Sequence, residues 1–326
     1  MTVLVTGAGG YIGSALVRAI AAAHPARLVL LDSSEQNLFQ IHRSLEDGDV
    51  AHEAVLGSVT DAGPLHRLLA RVRPQLIYHA AAWKHVALLE WNPLAAVANN
   101  AIGTYTLAQA AIEHGVTRLV LVSTDKAVKP HSIMGASKRV AELIVTALSS
   151  SRCRMNVVRL GNVIGSTGSA VPIFLEQIAR GGPVTVTDRE ATRYFISLGE
   201  AVDAILAAGV SEASGRILLP EMGEPERIAD VARSLIGDRN GIAIRFIGLR
   251  AGEKLREDLM LPEESREGVA GRLHVIRTPG PPAAELHASM AELGCLIARG
   301  DVPGVVEWIR ELVPEYAPSR VVCALR

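Results

Sequence analysis

The sequence predicts a doubly wound α/β fold, a parallel sheet covered by helices on both faces, followed by a smaller C-terminal region. Three observations carry this. Strands and helices alternate through the first half of the chain. The strands read as short apolar runs without polar alternation, the pattern of strands buried on both faces. Apolar residues make up 49% of the 326 residues and aromatics only 4%, which suits Ala-rich helices packed on Val/Ile/Leu-rich strands.

Residues 3–6 read as a strand and 11–23 as a helix. Strand 27–32 and helix 35–45 follow, then a weaker strand at 50–56 and a helix at 64–71. Residues 75–78 form the next strand. A long helix is expected over 93–114, with Asn92 as its cap, Pro93 in its first turn and Gly115 at its stop. Residues 118–122 are a strand, 135–148 a helix and 155–160 a further strand. This order gives a doubly wound sheet. After Gly161 the texture changes to Gly/Ser/Pro-rich loops with helices at 171–180, 225–236, 282–298 and 302–312. The expected division is a nucleotide-binding domain over 1–161, rejoined by about 194–219, and a substrate region over 162–193 and 220–326.

Lys and Arg number 33 against 34 Asp and Glu, so no basic excess exists to draw in nucleic acid or an anionic membrane. The cysteines, Cys153, Cys295 and Cys323, are odd in number and far apart. They make neither a zinc pattern nor a disulfide framework, which points to a reducing, cytoplasmic compartment. No metal spacing is visible among the ten histidines. No run approaches the ~20 apolar residues that cross a bilayer, and with a strand expected from Thr2 no signal peptide is expected. A soluble protein is expected.

The string VLVTGAGGYIGSALVRAI places Gly7, Gly10 and Gly13 between a strand and a helix. The first permits a tight turn, the second lets the backbone approach a pyrophosphate, and the third lets helix and strand pack closely. The phosphates then meet the positive end of the helix. Asp32 stands at the end of the second strand, nineteen residues past Gly13. This is the context of a Rossmann dinucleotide site. A carboxylate there accepts hydrogen bonds from ribose hydroxyls and repels a 2′-phosphate, which favours NAD over NADP. A cap for helix 35–45 is the structural alternative for Asp32.

The strand at 118–122 runs into Ser123, Thr124, Asp125 and Lys126. Ligands of such sheets bind beyond the carboxyl ends of the strands, so these residues face the reaction centre. Met134 and Lys138 follow, four apart and on one helix face. In isolation, Thr124-Asp125-Lys126 would read as a capped, solvated loop, Lys138 as a surface lysine and Met134 as core filling.

TGAGGYIG with Asp32, Ser123 and the Met134…Lys138 pair resembles the extended short-chain dehydrogenase/reductase superfamily, where the position of Met134 is normally a tyrosine base. HAAAWKHVALLEWNP, STDKAVKP, MGASKRVAE, RLGNVIGSTGSAVP, TRYF and GLRAGEKL are similar to the UDP-N-acetylglucosamine 4,6-dehydratases of the CapD-like polysaccharide-biosynthesis group. In one branch of that group methionine replaces the tyrosine. The resemblance covers about residues 1–260 and extends only to the soluble catalytic part of relatives that carry a membrane region. It implies that NAD is held by Gly7, Gly10, Tyr11, Ile12, Gly13, Asp32, Ser33, Ser58, Val59, Ala80, Ala81 and Lys138. Ser58 stands where relatives usually have an aspartate, which weakens the adenine contact.

The chemistry of a 4,6-dehydration needs one acid and one base. The C5 proton becomes labile only after C4 is oxidised to a ketone; an acid must then protonate the departing C6 hydroxyl. Asp125 is expected to be the acid and Lys126 the base, which requires a protonated carboxyl and a neutral amine. Thr124 is expected at the C4 hydroxyl, and Lys138 at the nicotinamide ribose. With Met134 unable to accept a proton, Thr124 or a water is left to take the C4 hydroxyl proton.

For a UDP-sugar the candidate contacts are Lys84, Asn162, Ser166, Arg193, Arg250 and Glu253, with the two arginines as diphosphate partners. His85 lies beside Lys84. Asn100 reads as a buried structural amide. The superfamily resemblance implies a homodimer through helices 93–114 and 135–148. A C5-inverting dehydratase, a nucleotide-sugar epimerase and a non-catalytic NAD-binding regulator are the competing readings; the methionine variant most resembles the branch that retains C5 configuration.

Overall fold

A computed structural model describes residues 1–239 and 241–325. Residues 240 and 326 fall in the expected substrate region and lie outside the described residues. The first half contains β1 (Thr2–Thr6), α1 (Tyr11–Ala22), β2 (Arg27–Asp32), α2 (Glu35–Arg43), β3 (His52–Leu56), α3 (Ala62–Val72) and β4 (Leu76–His79). Then come α4 (Val86–Glu90), α5 (Pro93–Val97), a π-helical turn at Ala98–Ile102, α6 (Gly103–Glu113), β5 (Arg118–Thr124), a 3-10 turn at Asp125–Ala127, α7 (Ile133–Leu148) and β6 (Arg154–Leu160). The second half holds β7 (Asn162–Val163), α8 (Ala170–Ala179), β8 (Val184–Val186), β9 (Thr192–Arg193), β10 (Phe195–Ile196), α9 (Leu198–Val210), β11 (Arg216–Pro220), β12 (Glu226–Arg227), α10 (Ile228–Ile236) and β13 (Ile244–Phe246). It closes with β14 (Ser265–Ala270), β15 (Leu273–Arg277), α11 (Ala283–Ala298), α12 (Val302–Leu312) and α13 (Arg320–Ala324).

One nine-stranded sheet organises the chain, in the order β14-β15-β11-β6-β5-β4-β1-β2-β3. From β11 to β3 every pairing is parallel, and β15 and β14 add antiparallel to the far edge. The strand order reverses between β1 and β4. The crevice at such a switch point, beyond the carboxyl ends of the strands, is where ligands of this architecture sit. Large apolar cores fill both faces of the sheet, and a third, small one lies under Phe174, Val184, Ile228 and Ile236.

Three expectations are corrected. The helix expected at 93–114 is interrupted by the π-helical turn. The turn presents Asn100 to the backbone of Trp83 while the Thr104 hydroxyl donates to the Asn100 carbonyl at 2.6 Å. At its start Pro93 serves as expected, but Asn92 does not cap; its amide donates back to Leu88 O at 2.9 Å.

The expected substrate region does not stand apart over its last stretch. β14 and β15 extend the main sheet, and α11 and α12 pack into the core on the α7 face. The apolar residues Leu286, Met290, Leu293, Val305, Trp308 and Ile309 bring them there, spaced for one buried helix face.

The third correction concerns α7 as a dimer face. Its residues are buried almost without interruption from Ile133 to Val145, because α5, the π turn and α6 cover it on one side and α11 and α12 on another. The chain's own C-terminal helices occupy the surface that the sequence reading gave to a second copy.

Candidate active site

The crevice between β1 and β4 begins at the glycine loop. Gly7 has φ +66, and a Cβ there would lie 2.6 Å from Ala81 N, so the loop rests directly on the 80–81 backbone. At Gly13 a Cβ would lie 1.9 Å from Gly7 O, which fixes α1 against the loop. Gly10 is different: among the described residues a Cβ there would meet only Gly7 O, at 3.2 Å, and its outer side is open. The N-terminus of α1 has no side-chain cap and no acid in its first turn, so its first amides are available to an anion. A dinucleotide pyrophosphate fits this cradle.

These contacts separate two variants. Gly13→Ala is expected to destabilise the fold by about 1–3 kcal/mol through overpacking and to lose dinucleotide binding with it. Gly10→Ala should leave the melting temperature near that of the unmodified protein and still abolish binding, because its methyl group enters the phosphate position. Thermal melting and a dinucleotide titration of both variants check this.

Asp32 fastens the loop to the second strand. One carboxylate oxygen accepts from Gly9 N and the other from Ser34 N, both at 2.8 Å. The cap of α2 is Ser34, whose hydroxyl accepts from Asn37 N at 3.3 Å, so Asp32 is not the cap. Ser33 is exposed beside it. Tyr11 OH donates to Ile164 O at 2.8 Å and ties the start of α1 to the loop after β7. Ser58 exchanges a hydrogen bond with Thr60 at 2.8 Å, and Val59 is buried against Gly103. Ala80 N donates to Thr6 O.

The end of β5 carries a compact polar cluster. Asp125 is fully buried. Its Oδ1 accepts from Thr124 Oγ1 at 2.9 Å and from Lys126 Nζ at 3.0 Å, while Oδ2 has no partner among the described residues. Lys126 Nζ also donates to Asn162 Oδ1 at 2.6 Å and lies 3.9 Å from Glu257. A buried acid and an amine therefore share one oxygen, with a hydroxyl on the same atom. Asn162, expected on the substrate diphosphate, spends its carbonyl on Lys126 because β7 places it directly across from that loop.

Lys138 projects from α7 toward the same strand end, its Nζ donating to Val122 O at 2.8 Å. Burial lowers its ammonium to about 8. His79 is also buried, and its imidazolium is suppressed to about 3, by burial first and by Lys138 second. Its hydrogen bonds fix the tautomer. Thr104 donates to Asn100 O, so it accepts from His79 Nε2 at 3.0 Å, and Nδ1 accepts from Thr6 Oγ1 at 2.7 Å. Asn100 is a fully used structural amide, bonded to Trp83 N, Trp83 O and Ser137 Oγ. Met134 is buried in the core below this layer.

Under the cluster lies a network of charges. Glu142 accepts from Ser123 Oγ at 2.8 Å and from Arg159 at 2.7 and 3.1 Å; Arg159 also binds Glu264. Arg139 joins Glu142, Glu264 and Glu315. Burial opposes ionisation of Glu142, but the arginines outweigh it and hold its carboxyl below the usual range.

The expected substrate contacts divide. Lys84 and Arg250 are exposed, Glu253 accepts from Arg250 N at 3.1 Å, and Ser166 sits half-buried on the loop whose Gly168 closes against the His85 ring. Arg193 is corrected as a diphosphate partner. Its guanidinium is buried and donates to the carbonyls of Thr192, Lys254 and Leu255, so it positions the 254–257 segment. That segment supplies two groups the sequence reading missed. Glu257 is buried between Lys126, Arg193 and Lys254, and Lys254 lies 2.7 Å from it. In the string GLRAGEKL the attention fell on Arg250 and Glu253, and Glu257, two residues past its end, was not considered.

Against known proteins, the capsular polysaccharide biosynthesis protein CapD of Staphylococcus aureus is 41% identical over 272 residues, 81% of this chain and 45% of that protein. The chain thus spans about half the length of this relative. A UDP-N-acetylglucosamine 4,6-dehydratase (inverting) of Campylobacter jejuni is 30% identical over 270 residues, 81% of this chain and 78% of that enzyme. The crystal structure of DesIV, a dTDP-glucose 4,6-dehydratase of Streptomyces venezuelae with NAD and TYD bound, superposes with a TM-score of 0.72 at 26% identity, covering 97% of this chain and 99% of that one. The model of the family described as polysaccharide biosynthesis protein matches residues 3–277, and this chain belongs to that family.

Proposed function

We propose that this chain is an NAD-dependent UDP-N-acetylglucosamine 4,6-dehydratase that retains configuration at C5. The observation that carries the reading is the Thr124–Asp125–Lys126 cluster: a buried acid and a partly exposed amine on one oxygen at a strand end, facing a dinucleotide cradle. The likenesses to the Campylobacter dehydratase and to DesIV support the substrate class and the cofactor. Gly7, Gly10, Tyr11, Ile12 and Gly13 would hold the pyrophosphate of NAD, Asp32 and Ser33 a ribose, Ser58 and Val59 the adenine, and Ala80, Ala81 and Lys138 the nicotinamide side. Bound NAD supplies the hydride acceptor for C4 and the hydride donor for C6, with no net change of redox state.

The chain's own residues move the protons. The hydrogen bond from Thr124 to Asp125 gives the C4 hydroxyl proton a route to the carboxyl without a base at position 134. Asp125 hands that proton to the C6 hydroxyl, which leaves as water. Lys126 takes the C5 proton as C5–C6 becomes a double bond and returns it to the same face after hydride reaches C6. Asn162 and Glu257 hold the Lys126 amine in place. Ser166, Arg250 and Glu253 are assigned to the UDP portion at the mouth, and Lys84 to the sugar. No described helix is long and apolar enough to cross a bilayer.

The test is incubation with UDP-N-acetylglucosamine and mass spectrometry of the sugar nucleotide. Loss of one water is expected; an unchanged mass sinks the dehydratase reading, and an unchanged mass with a new C4 epimer makes the chain an epimerase. The inverting reading rests on the likeness to the Campylobacter enzyme. Reaction in D₂O followed by NMR at C5 separates the two, the gluco configuration being expected.

A further inference from the structure

We propose that His66, Glu113 and His114 form a binding site for a divalent transition-metal ion of the zinc type, which fastens α3 to the end of α6. His66 lies on α3, and Glu113 and His114 close α6. His66 Nδ1 stands 3.2 Å from Glu113 Oε2 and 3.3 Å from His114 Nε2. All three donor atoms lie within 4.8 Å of one another.

These separations match those of ligands around a single ion. Zinc binds imidazole nitrogen and carboxylate oxygen at about 2.0–2.2 Å in a tetrahedron, which puts neighbouring donor atoms roughly 3.3 Å apart. Hydrogen bonding alone satisfies the cluster poorly. His66 Nδ1 can offer either one proton or one lone pair, and two partners face it at nearly equal distance. If it donates to Glu113, the His114 nitrogen lacks a partner there. If it accepts from His114, its lone pair confronts a carboxylate oxygen. A cation between the three satisfies every lone pair at once. Two imidazoles and one carboxylate suit zinc better than magnesium or calcium, which prefer all-oxygen sites.

The position says what the ion would do. His114 lies where α6 hands over to β5, at the end of that strand opposite Thr124–Lys126, so the ion takes no part in the proposed chemistry. It would cross-link two helices that pack on the same sheet face, and a ligand bound only by the folded state stabilises it by mass action. The distance in sequence, 66 to 113–114, is why no metal spacing was visible in the chain.

Calorimetric titration of chelator-stripped protein with ZnCl₂ is the test. One saturable equivalent per chain is expected, along with a higher melting temperature in the presence of zinc. His66→Ala and His114→Ala should each remove that equivalent and the rise in melting temperature, and Glu113→Gln should weaken binding by about tenfold or more. His52→Ala, which breaks the separate His42–His52 pair at 3.0 Å, should leave the stoichiometry unchanged. Melting curves without metal establish that each variant is folded. Absence of saturable binding overturns the proposal, as does binding that survives both histidine variants or is lost with His52.

Discussion

Lys126→Arg is expected to lower the rate of water loss from UDP-N-acetylglucosamine by about 10²–10⁴, the usual worth of a general base. The substitution is chosen because it keeps the charge. An arginine at 126 still reaches Asp125 and Asn162, now 3.0 and 2.6 Å from the amine, and still balances the buried Asp125. What it cannot do is lose a proton near neutral pH. If Lys126 serves only as a counter-charge, the variant keeps most of its activity. If it removes the C5 proton, the variant is nearly inactive while dinucleotide binding at Gly7–Gly13 is unaffected. Initial rates by mass spectrometry, together with a cofactor titration, make that distinction. Retention of more than about a tenth of the activity would remove Lys126 from the base role.

Glu142→Ala is expected to destabilise the protein by about 3–5 kcal/mol, the cost of leaving a buried charge without its partner. Arg159 is completely buried and divides its guanidinium between Glu142 and Glu264. Without Glu142, Arg159 and Arg139 share Glu264, and the Ser123 hydroxyl loses its acceptor. Urea denaturation measures the loss. Replacing Glu142 and Arg159 together by leucine and methionine should cost less than the single change, because no orphan charge remains. A single variant within about 1 kcal/mol of the unmodified protein would show that the network is solvated in solution. Ser123 adjoins Thr124, so the same variant should also slow turnover.

The parts of this molecule that repeat locally were legible in its sequence. Apolar runs marked the parallel strands, and the glycine spacing marked the cradle, because both depend on residues close together in the chain. The strand end and helix face that carry Thr124, Asp125, Lys126 and Lys138 follow from short-range periodicity, but their selection as candidate site residues came from the family resemblance. Contacts across the fold were not legible. Glu257 reaches Lys126 only because Arg193 ties the 254–257 backbone to β9. Arg193 itself was taken for a phosphate ligand, since nothing in its neighbourhood announces that three carbonyls will consume it. The covering of α7 by α11 and α12 was hidden too. The assignment of α7 to a dimer face came from the superfamily resemblance, and the helices that cover it lie far along the chain.

The π-helical turn at Ala98–Ile102 gives this site a matter of phase. An α-helix advances about 100° per residue, so a straight continuation from Pro93 would fix the azimuth of every later side chain. The wider turn inserts an offset midway. Before it, Ala96 and Val97 point into the core; through it, Asn100 clasps Trp83 and Ser137; after it, Thr104 meets His79. Two helical wheels, each regular, are thereby joined out of step. The offset lets a single rod serve as packing surface at one end and as a hydrogen-bonding template at the other.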